Sequence, residues 1–308
     1  MRALIPTGRA GHLVEIGEVD PPETAPDEAL VRITCFSLNR PDFLHLSSPG
    51  TGYRPGIDAV GVVERAADDG GGPGAGSRVV LHLPAGGAAA EYAAVRAQRL
   101  VPVPDGVSCD LAAALPLAGL VARRLLAEAG PLAGRTILAT GMSGGVGQFV
   151  VQLAAAEGAR VTAVAARSEP WHHLPALGAT VTHDIEDLDE GSFDIVLDSV
   201  AGPLGSAAAR KLAPGGLFLW FGQAAAQPLT LDFFALLDGG RGLTLHHFVY
   251  LATDDRQDAD DLADLLELAA QGRLRAEIGH RAHWSHSAAL LEEMARGRLR
   301  GKAVLTVD

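Results

Sequence analysis

The chain of 308 residues is 48% hydrophobic and 20% charged, a balance typical of globular proteins that excludes a disordered chain. Its formal net charge of -12 disfavours a nucleic-acid partner, because a phosphate backbone would be repelled. The first residues have no basic leader before an apolar core, and no apolar run reaches the roughly 18 residues of a membrane-spanning helix, so we expect a cytoplasmic protein outside membranes. Two cysteines, Cys35 and Cys109, are too few for a disulfide scaffold or a four-thiolate zinc site, and both are predicted to be small buried hydrophobic residues.

Residues 1 to about 105 predict a compact, mostly β domain, one of two domains expected at roughly 150 residues each. Short apolar runs between Gly and Pro residues are predicted strands at 29–33, 59–64, 78–83 and 92–95. The Gly-rich tract at 68–77 lies between two of these strands, so we expect a flexible hairpin or surface loop.

From about residue 110 the pattern changes to alternating helices and short apolar strands. Helices are predicted at 111–129, 147–157 and 207–212, and strands at 136–140, 161–165, 193–197, 217–221 and 243–251. This alternation predicts a parallel sheet covered on both faces. The final stretch predicts helices at 257–271 and 287–296 and a closing strand at 303–307.

A glycine-rich turn between the first of these strands and its helix predicts a mononucleotide-binding βαβ unit. Gly144 lets the backbone come close to a pyrophosphate, and Gly147 lets the helix pack against the strand. In the GxGxxG frame the first position is Met142. The predicted cofactor-binding residues of the turn are Ser143, Gly144, Gly145, Val146 and Gly147.

The end of the second strand determines which dinucleotide fits. No carboxylate stands at the strand tip to hold a ribose hydroxyl, whereas Arg167 and Ser168 can bind a 2′-phosphate. The sequence therefore favours NADPH. A solvated Arg beside a Ser helix cap is the alternative, and Glu169 keeps NADH open.

Segments spread over nearly the whole chain match one family in order and spacing. They are LNRPDFL (38–44), RPGIDAVGVV (54–63), AAAEYAAV (88–95), PDGVSCDLAAALPLAGLVA (104–122), SGGVGQ (143–148), FDIVLDSVAG (193–202), LAPGGLFLWFG (212–222) and GRLRGKAVL (297–305). With them the chain resembles the zinc-free quinone oxidoreductase and enoyl reductase branch of the medium-chain dehydrogenase/reductase superfamily. The resemblance implies an α/β fold, with a doubly wound parallel Rossmann sheet (113–252) inserted in a mostly β, GroES-like catalytic domain (1–112 and 253–308). Cofactor and substrate would meet in the cleft between the domains.

The resemblance also implies that zinc is absent. At the positions of the Cys, His and Glu zinc ligands of related alcohol dehydrogenases, this chain has Asn39, Ile57 and Asp58. Catalytic zinc needs about three protein ligands, which an amide and an isoleucine do not supply.

Three catalytic candidates follow from the resemblance. Asn39 is the preferred polar anchor for a substrate carbonyl, and Asp42 lies near it; the alternatives are an Asx cap before Pro41 and a structural hydrogen-bond acceptor. Tyr53 corresponds to a tyrosine that donates a proton in related enoyl reductases, with packing at the cleft mouth as the alternative.

Further binding residues are implied in the same way. Ser199, Val200, Gly222 and Lys302 are expected near the cofactor, although Lys302 is also explained as a structural residue before the last strand. Pro170 replaces the lysine that contacts the 2′-phosphate in related reductases. The residues expected to line the substrate site are Phe43, Ile57, His247 and Phe248, within the segments 38–58 and 243–253.

These features predict an NADPH-dependent, zinc-free oxidoreductase that reduces a quinone, or the C=C bond of an enone or enoyl thioester, by hydride transfer. The alternative is a catalytically silent NADPH-binding module. The expected partners are a hydrophobic carbonyl compound or quinone and a second copy of the chain, bound through the strand at 243–251. The physiological substrate and the choice between one- and two-electron quinone chemistry stay open.

Overall fold

The computed structural model describes residues 1–48, 52–238, 242–250 and 255–308. Contacts divide the chain into a first unit, Met1–Leu120 with Ala252–Asp308, and a second unit, Val121–Leu251. The prediction put the first domain boundary at 112, and the predicted boundary at 253 falls outside the described residues. Within the described ranges, every helix is too short or too polar to cross a membrane.

The secondary structure follows the predicted change from strands to alternating helices and strands. The strands are β1 (Arg2–Arg9), β2 (His12–Glu18), β3 (Glu28–Leu38), β4 (Asp58–Arg65), β5 (Arg78–His82), β6 (Tyr92–Arg96), β7 (Val101–Pro102), β8 (Thr136–Thr140), β9 (Arg160–Val164), β10 (Ala179–Thr182), β11 (Phe193–Asp198), β12 (Leu212–Trp220), β13 (Thr244–His247), β14 (Ile278–His283) and β15 (Lys302–Thr306). The helices are α1 (Arg40–Leu46), α2 (Cys109–Ala114), α3 (Pro116–Ala129), α4 (Gly147–Ala156), α5 (Leu174–Leu177), α6 (Gly202–Arg210), α7 (Phe233–Asp238), α8 (Asp255–Ala270) and α9 (Ser287–Ala295).

The first unit is built around the long strand β3. Its main sheet has the order β14-β15-β3-β4-β5-β7, with β6 also paired to β3, and β1 and β2 form a separate hairpin. Phe36, Leu38 and Trp284 are fully buried in its core. The last strand, β15, runs antiparallel to β3 with Ala303 opposite Leu38. The end of the chain therefore lies beside the end of β3, where the sequence places Asn39.

The second unit is a parallel sheet with the order β10-β9-β8-β11-β12-β13. Numbered from β8, this is the order 3-2-1-4-5-6 of the Rossmann fold, which confirms the predicted doubly wound sheet. In such sheets ligands bind outside the carboxyl ends of the strands, where the order reverses. That point follows β8, at the glycine-rich turn.

Several element predictions differ from the structure. The helix predicted at 111–129 is broken at Leu115, because Pro116 has no N–H to donate to the Ala112 carbonyl oxygen, although Leu115 itself keeps helical backbone. The helix predicted at 207–212 already begins at Gly202, and Leu212 instead opens β12. The strand predicted at 243–251 is Thr244–His247 in the structure, and residue 251 lies outside the described residues.

The two cysteines are joined rather than separate. Cys35 is buried in β3, Cys109 begins α2, and their sulfur atoms form a disulfide across 74 residues of sequence. Cys35 is buried as predicted, whereas Cys109 is only partly buried, and the prediction missed the disulfide, which forms because α2 packs against β3 and brings the two side chains together.

We expect Asp198→Asn to lower the free energy of unfolding by about 1–3 kcal/mol. The buried carboxylate at the end of β11 accepts hydrogen bonds from the Thr140 hydroxyl at 2.5 Å and from the Val200 and Ala201 N–H groups at 3.1 and 3.0 Å. An amide oxygen at Oδ1 can still accept from all three donors, since the Ala201 N–H also lies 3.2 Å from it, but the amide NH2 at the Oδ2 position faces the Ala201 N–H and cannot accept from it. Urea unfolding checks the value, with Asp194→Asn as control, since the Asp194 side chain is 38% exposed. Equal losses in both variants would contradict the expectation.

Candidate functional site

A buried polar cluster lies where β3 ends and α1 begins. Its members share low exposure or direct hydrogen bonds to buried carboxylates, and we call Asn39, Asp42, Tyr53, Asp58, His82 and Lys302 the β3–α1 cluster. All of them belong to the first unit. Buried polar groups must be hydrogen-bonded, and two carboxylates provide the acceptors.

Asp42 accepts hydrogen bonds from three groups of the same unit. They are the Asn39 N–H at 2.9 Å, the Gly56 N–H at 3.0 Å and the Tyr53 hydroxyl at 2.6 Å. The sequence explains the first contact, since Asn39 is the N-cap of α1 and Asp42 is three residues further on, the acidic position of a capping box. Burial raises the pKa of Asp42, and the hydrogen bonds from Tyr53, Gly56 and Asn39 only partly oppose this.

Asp58 is the second acceptor and connects four segments. Its Oδ1 atom accepts from the Leu117 N–H at 3.1 Å and lies 2.9 Å from His82 Nδ1, while its Oδ2 accepts from Asn39 Nδ2 at 2.9 Å. Lys302 Nζ lies 3.7 Å from the same Oδ2. Antiparallel pairing places His82 opposite Asp58. In the sequence, Asp58 is notable only because it stands at a zinc-ligand position. His82 was missed, and its one signal in the sequence is that a polar residue ends a buried strand.

The Asn39 side chain is engaged inside the cluster. Its Oδ1 accepts from Lys302 Nζ at 2.5 Å, and its Nδ2 donates to Asp58. Nδ2 also lies 3.5 Å from the Ser37 carbonyl oxygen, and a substrate carbonyl anchored as predicted would replace this longer contact of its second N–H. Lys302, predicted near the cofactor, lies in the first unit with its ammonium in the cluster, and burial lowers its pKa.

Tyr53 forms the more accessible end of the cluster. It is half-buried, and its ring lies 4.7 Å from that of His45 between ring centres. Burial and the neighbouring Asp42 raise the pKa of Tyr53, so the phenol keeps its proton at neutral pH. Its predicted role as proton donor stays a prediction.

The four predicted substrate-lining residues fall in both units. In the first unit, Phe43 packs against the core and Ile57 is only 2% exposed. In the second unit, His247 is exposed on β13 with its ring 4.9 Å from that of Trp220, and Phe248 is buried just after it. Residues 251–253 of the predicted segment lie outside the described residues.

The glycine-rich turn of the second unit has the local geometry of a phosphate site. A Cβ atom added at Gly144 would meet only the Gly141 carbonyl oxygen, at 3.5 Å, so the backbone face at Gly144 is open. At Gly147 an added Cβ would lie 2.2 Å from Met142 Cα, which shows how tightly α4 packs on the turn. The Gln148 and Phe149 N–H groups donate to the Gly144 and Val146 carbonyl oxygens, so an anion would meet the N–H groups of Gly145, Val146 and Gly147, which precede them.

At the tip of β9, Glu169 is held against this turn. Its carboxylate accepts from the Ser143 hydroxyl at 2.9 Å and from the Ala166 N–H at 3.3 Å. Arg167 and Ser168 are exposed beside it. The Glu169 carboxylate, which was the reason to consider NADH as the cofactor, is therefore hydrogen-bonded within the second unit. Arg167 and Ser168, which are predicted to bind a 2′-phosphate, are accessible.

The other predicted cofactor residues lie at the neighbouring strand ends. The Ser199 hydroxyl donates to the Thr140 carbonyl at 3.0 Å, which links the ends of β8 and β11. A Cβ at Gly222 would come within 2.8 Å of the Ser199 carbonyl oxygen. Val200 follows Ser199, and its N–H donates to Asp198. Sequence reasoning missed Thr140 and Asp198, which hold these ends together.

Comparisons with known proteins agree with this architecture. Residues 25–105 match the family model of the alcohol dehydrogenase GroES-like domain, and residues 176–305 match that of zinc-binding dehydrogenases. The chain is 28% identical to a quinone oxidoreductase of Pseudomonas aeruginosa over 95% of each chain. It is 30% identical to the trans-enoyl reductase tazE of Aspergillus terreus, over 61% of this chain and 69% of the relative. The chain belongs to the medium-chain dehydrogenase/reductase superfamily.

Within this superfamily it is of the zinc-free quinone oxidoreductase and enoyl reductase type, as predicted, and it is an oxidoreductase. A solved quinone oxidoreductase of Escherichia coli, complexed with NADPH, has the same fold, with a TM-score of 0.86 over 99% of each chain at 22% identity. Longer relatives also match, but the chain covers only 13% of one and 14% of another, so their overall activities do not transfer to it.

The zinc-ligand positions of the superfamily carry other chemistry in this chain. Asn39 and Asp58 are hydrogen-bonded to each other. Ile57 is buried and has an apolar side chain that cannot bind a metal ion. Among the described residues, no group of three or more His, Cys, Asp and Glu side chains is arranged to hold a metal ion.

Proposed function

We propose that this protein is a cytoplasmic, NADPH-dependent reductase of quinones or of the C=C bond of α,β-unsaturated carbonyl compounds. The observation that carries the proposal is the Tyr53–Asp42 hydrogen bond of 2.6 Å, because it couples a protonated phenol to a buried carboxyl group of raised pKa. Such a pair can supply the proton that an enolate needs after hydride addition.

The second unit fits a dinucleotide. The open backbone face at Gly144 admits a pyrophosphate, and the N–H groups of Gly145, Val146 and Gly147, which precede the paired N–H group of Gln148, can donate to it. Arg167 and Ser168 are accessible for a 2′-phosphate, whereas Glu169 already accepts two hydrogen bonds. These features favour NADPH over NADH. The NADPH bound to the Escherichia coli protein of the same fold supports this choice.

A bound NADPH would supply a hydride to the β-carbon of the acceptor. In the proposed reaction, the Tyr53 hydroxyl turns from Asp42 to the acceptor and gives its proton to the α-carbon, and the protonated Asp42 carboxyl then passes its own proton to the Tyr53 oxygen across the 2.6 Å contact. Asp42 is recharged from water. The order of events avoids leaving a phenolate beside a carboxylate, which Coulomb repulsion disfavours.

A catalytically silent NADPH-binding module is the second candidate. The observation that favours it is that both polar atoms of the Asn39 amide, and the Tyr53 hydroxyl, have partners inside the first unit. A binder needs only the glycine-rich turn and the 2′-phosphate contacts, not an accessible proton donor.

The decisive experiment is NADPH oxidation at 340 nm with 1,4-benzoquinone, 9,10-phenanthrenequinone, simple enones and a crotonyl thioester, repeated with NADH. Turnover of enones or the thioester supports C=C reduction, and turnover of quinones alone supports the quinone branch. Tight NADPH binding without turnover of any acceptor would refute the reductase and favour the binding module.

We expect Tyr53→Phe to lower kcat for enones by about 100-fold, the usual size of a lost general acid. Quinone reduction should change much less, because a reduced quinone takes its protons on oxygen and exchanges them readily with water. Tyr92→Phe, which removes a phenol elsewhere in the first unit, is the control and should leave both rates unchanged. Undiminished enone turnover by a folded Tyr53→Phe variant would assign the proton to another group.

A homodimer through β13 is part of the same proposal. This strand forms one end of the parallel sheet, and its residues are exposed. On α7, Phe233 and Phe234 are 70% and 72% exposed. The outer edge of β13, which has no partner strand among the described residues, is suited to pairing with a second copy, and sedimentation equilibrium would detect the dimer as a mass of about twice 31.8 kDa.

A further inference from the structure

The β3–α1 cluster holds two buried carboxyl groups and one buried ammonium. Asp42 and Asp58 are fully buried, and Lys302 is 3% exposed. The ammonium touches both halves of the cluster, with Nζ 2.5 Å from Asn39 Oδ1 and 3.7 Å from Asp58 Oδ2. Desolvation makes each buried charge unfavourable for the free energy of folding. Apolar side chains of similar size would stabilise the fold as well or better, so folding alone does not explain these charges.

We propose that Lys302 is a positioning residue for the reduction, fixing the Asn39 amide and supplying the positive charge that offsets Asp58 while negative charge forms on the acceptor oxygen. The inference rests on the proposed function. Lys302 acts through Asn39 and touches no reacting atom.

The orientation of the Asn39 amide depends on this contact. An ammonium can only donate, so it selects the oxygen of the amide and turns Nδ2 towards Asp58. Without Lys302, Oδ1 loses its donor and the amide keeps only its Nδ2 contacts, to Asp58 at 2.9 Å and to the Ser37 carbonyl oxygen at 3.5 Å. The position of the ammonium is itself set by the sheet, because β15 pairs with β3 and Ala303 lies opposite Leu38.

The second role proposed for Lys302 is electrostatic, because its positive charge lies near the buried Asp58 carboxylate. Hydride addition to an unsaturated carbonyl creates an oxyanion, and fixed charges in a poorly solvated site act strongly on it. With Lys302 removed, Asp58 would leave an unbalanced negative charge near Asn39. We therefore expect a rate loss of roughly 10–100-fold, less than the about 100–1,000-fold of a direct oxyanion donor.

The test compares Lys302→Met, Asp58→Asn and the double variant Asp58→Asn/Lys302→Met, using the acceptor that the wild-type protein turns over. Lys302→Met alone should lower Tm, because it leaves a buried charge without its partner, whereas the double variant removes both charges and should regain most of the lost Tm. Lys211→Met is the matched control. Lys211 is also buried, but it donates to the Leu188 carbonyl in the second unit.

We expect the double variant to bind NADPH like the wild type and to keep a kcat/KM that is roughly 10–100-fold lower, with Lys211→Met losing Tm but not kcat. A double variant with both Tm and kcat/KM restored would overturn the inference, since Lys302 would then only balance Asp58. No turnover by the wild-type protein would refute the proposed function itself, and this inference with it.

The pH profile gives a readout that a purely structural role would not change. Lys302 faces Asp58 from β4, Asp42 from α1 and, beyond Asp58, His82 from β5. Burial lowers its pKa below 10.5, so the wild-type kcat/KM should be full below the folded pKa and fall as pH rises through it. Tyr53 does not titrate there, because its pKa is raised. The double variant should lack this alkaline limb, and an identical limb in both proteins would overturn the inference.

Discussion

Gly144→Ala is expected to raise the Kd for NADPH by roughly 100-fold or more while leaving Tm nearly unchanged. The added Cβ meets only the Gly141 carbonyl oxygen, at an ordinary 3.5 Å, so the free protein accommodates it. The same methyl group occupies the face that a pyrophosphate would approach. Loss of two hydrogen bonds to a charged group, at about 1.5 kcal/mol each, corresponds to about 100-fold in affinity. Titration calorimetry with NADPH and a thermal melt measure the two effects.

Gly147→Ala is the matched control for this prediction, because it adds the same methyl group three residues further on. Here the Cβ would lie 2.2 Å from Met142 Cα and 2.5 Å from the Met142 carbonyl oxygen, so backbone must move and Tm should fall clearly. If Gly144→Ala binds NADPH like the wild type, the turn is not the pyrophosphate site. If it lowers Tm as much as Gly147→Ala, weaker binding reflects damaged folding instead.

Asp42→Ala should have the largest effect on stability, a loss of about 3–5 kcal/mol in the free energy of unfolding. The substitution removes the acceptor of two backbone N–H groups, at Asn39 and Gly56, and of the Tyr53 hydroxyl. Each donor left without a partner in a buried place costs about 1–3 kcal/mol. Urea unfolding measures the loss, and enone turnover should disappear with it because Tyr53 loses its proton source.

Asp42→Asn separates the acceptor from its charge. The amide oxygen still accepts, so this variant should lose less stability than Asp42→Ala at every pH. The pKa of Asp42 in the folded protein is raised above its ordinary value of 3.8. At a pH between the unfolded-state pKa and the folded-state pKa, the native protein therefore binds more protons than the unfolded chain. Wild-type stability therefore falls as pH rises through that window, and the stability gap to Asp42→Asn should narrow. A gap that stays constant across the window would show that Asp42 does not titrate there.

The glycine-rich turn was predictable because all its determinants are local. β8, the turn, α4 and β9 are consecutive, and the pattern of apolar residues and glycines within about 30 residues specifies a βαβ unit. The strand order of the second unit follows from such units, since right-handed crossovers leave few alternatives. The catalytic unit was predicted from its resemblance to a family, whose segments match at both ends of the chain.

The short elements around the candidate site were not predictable in the same way. α1 has only seven residues, too few for a helical periodicity to show, although its capping pair, Asn39 and Asp42, is local in sequence. Asp58 and His82 face each other because of the register between β4 and β5. A shift of one residue would turn either side chain to the other face of the sheet.

The sequence by itself determined the family, the two-part architecture and the position of the glycine-rich turn, because these follow from local periodicity and from the order of motifs. Only the tertiary structure decided what surrounds Asn39. Lys302 lies 263 residues away from it in sequence, and Cys35 and Cys109 are 74 residues apart. Such contacts are created when distant strands pair and helices pack on them, and the identity of each residue alone does not specify which partner it meets.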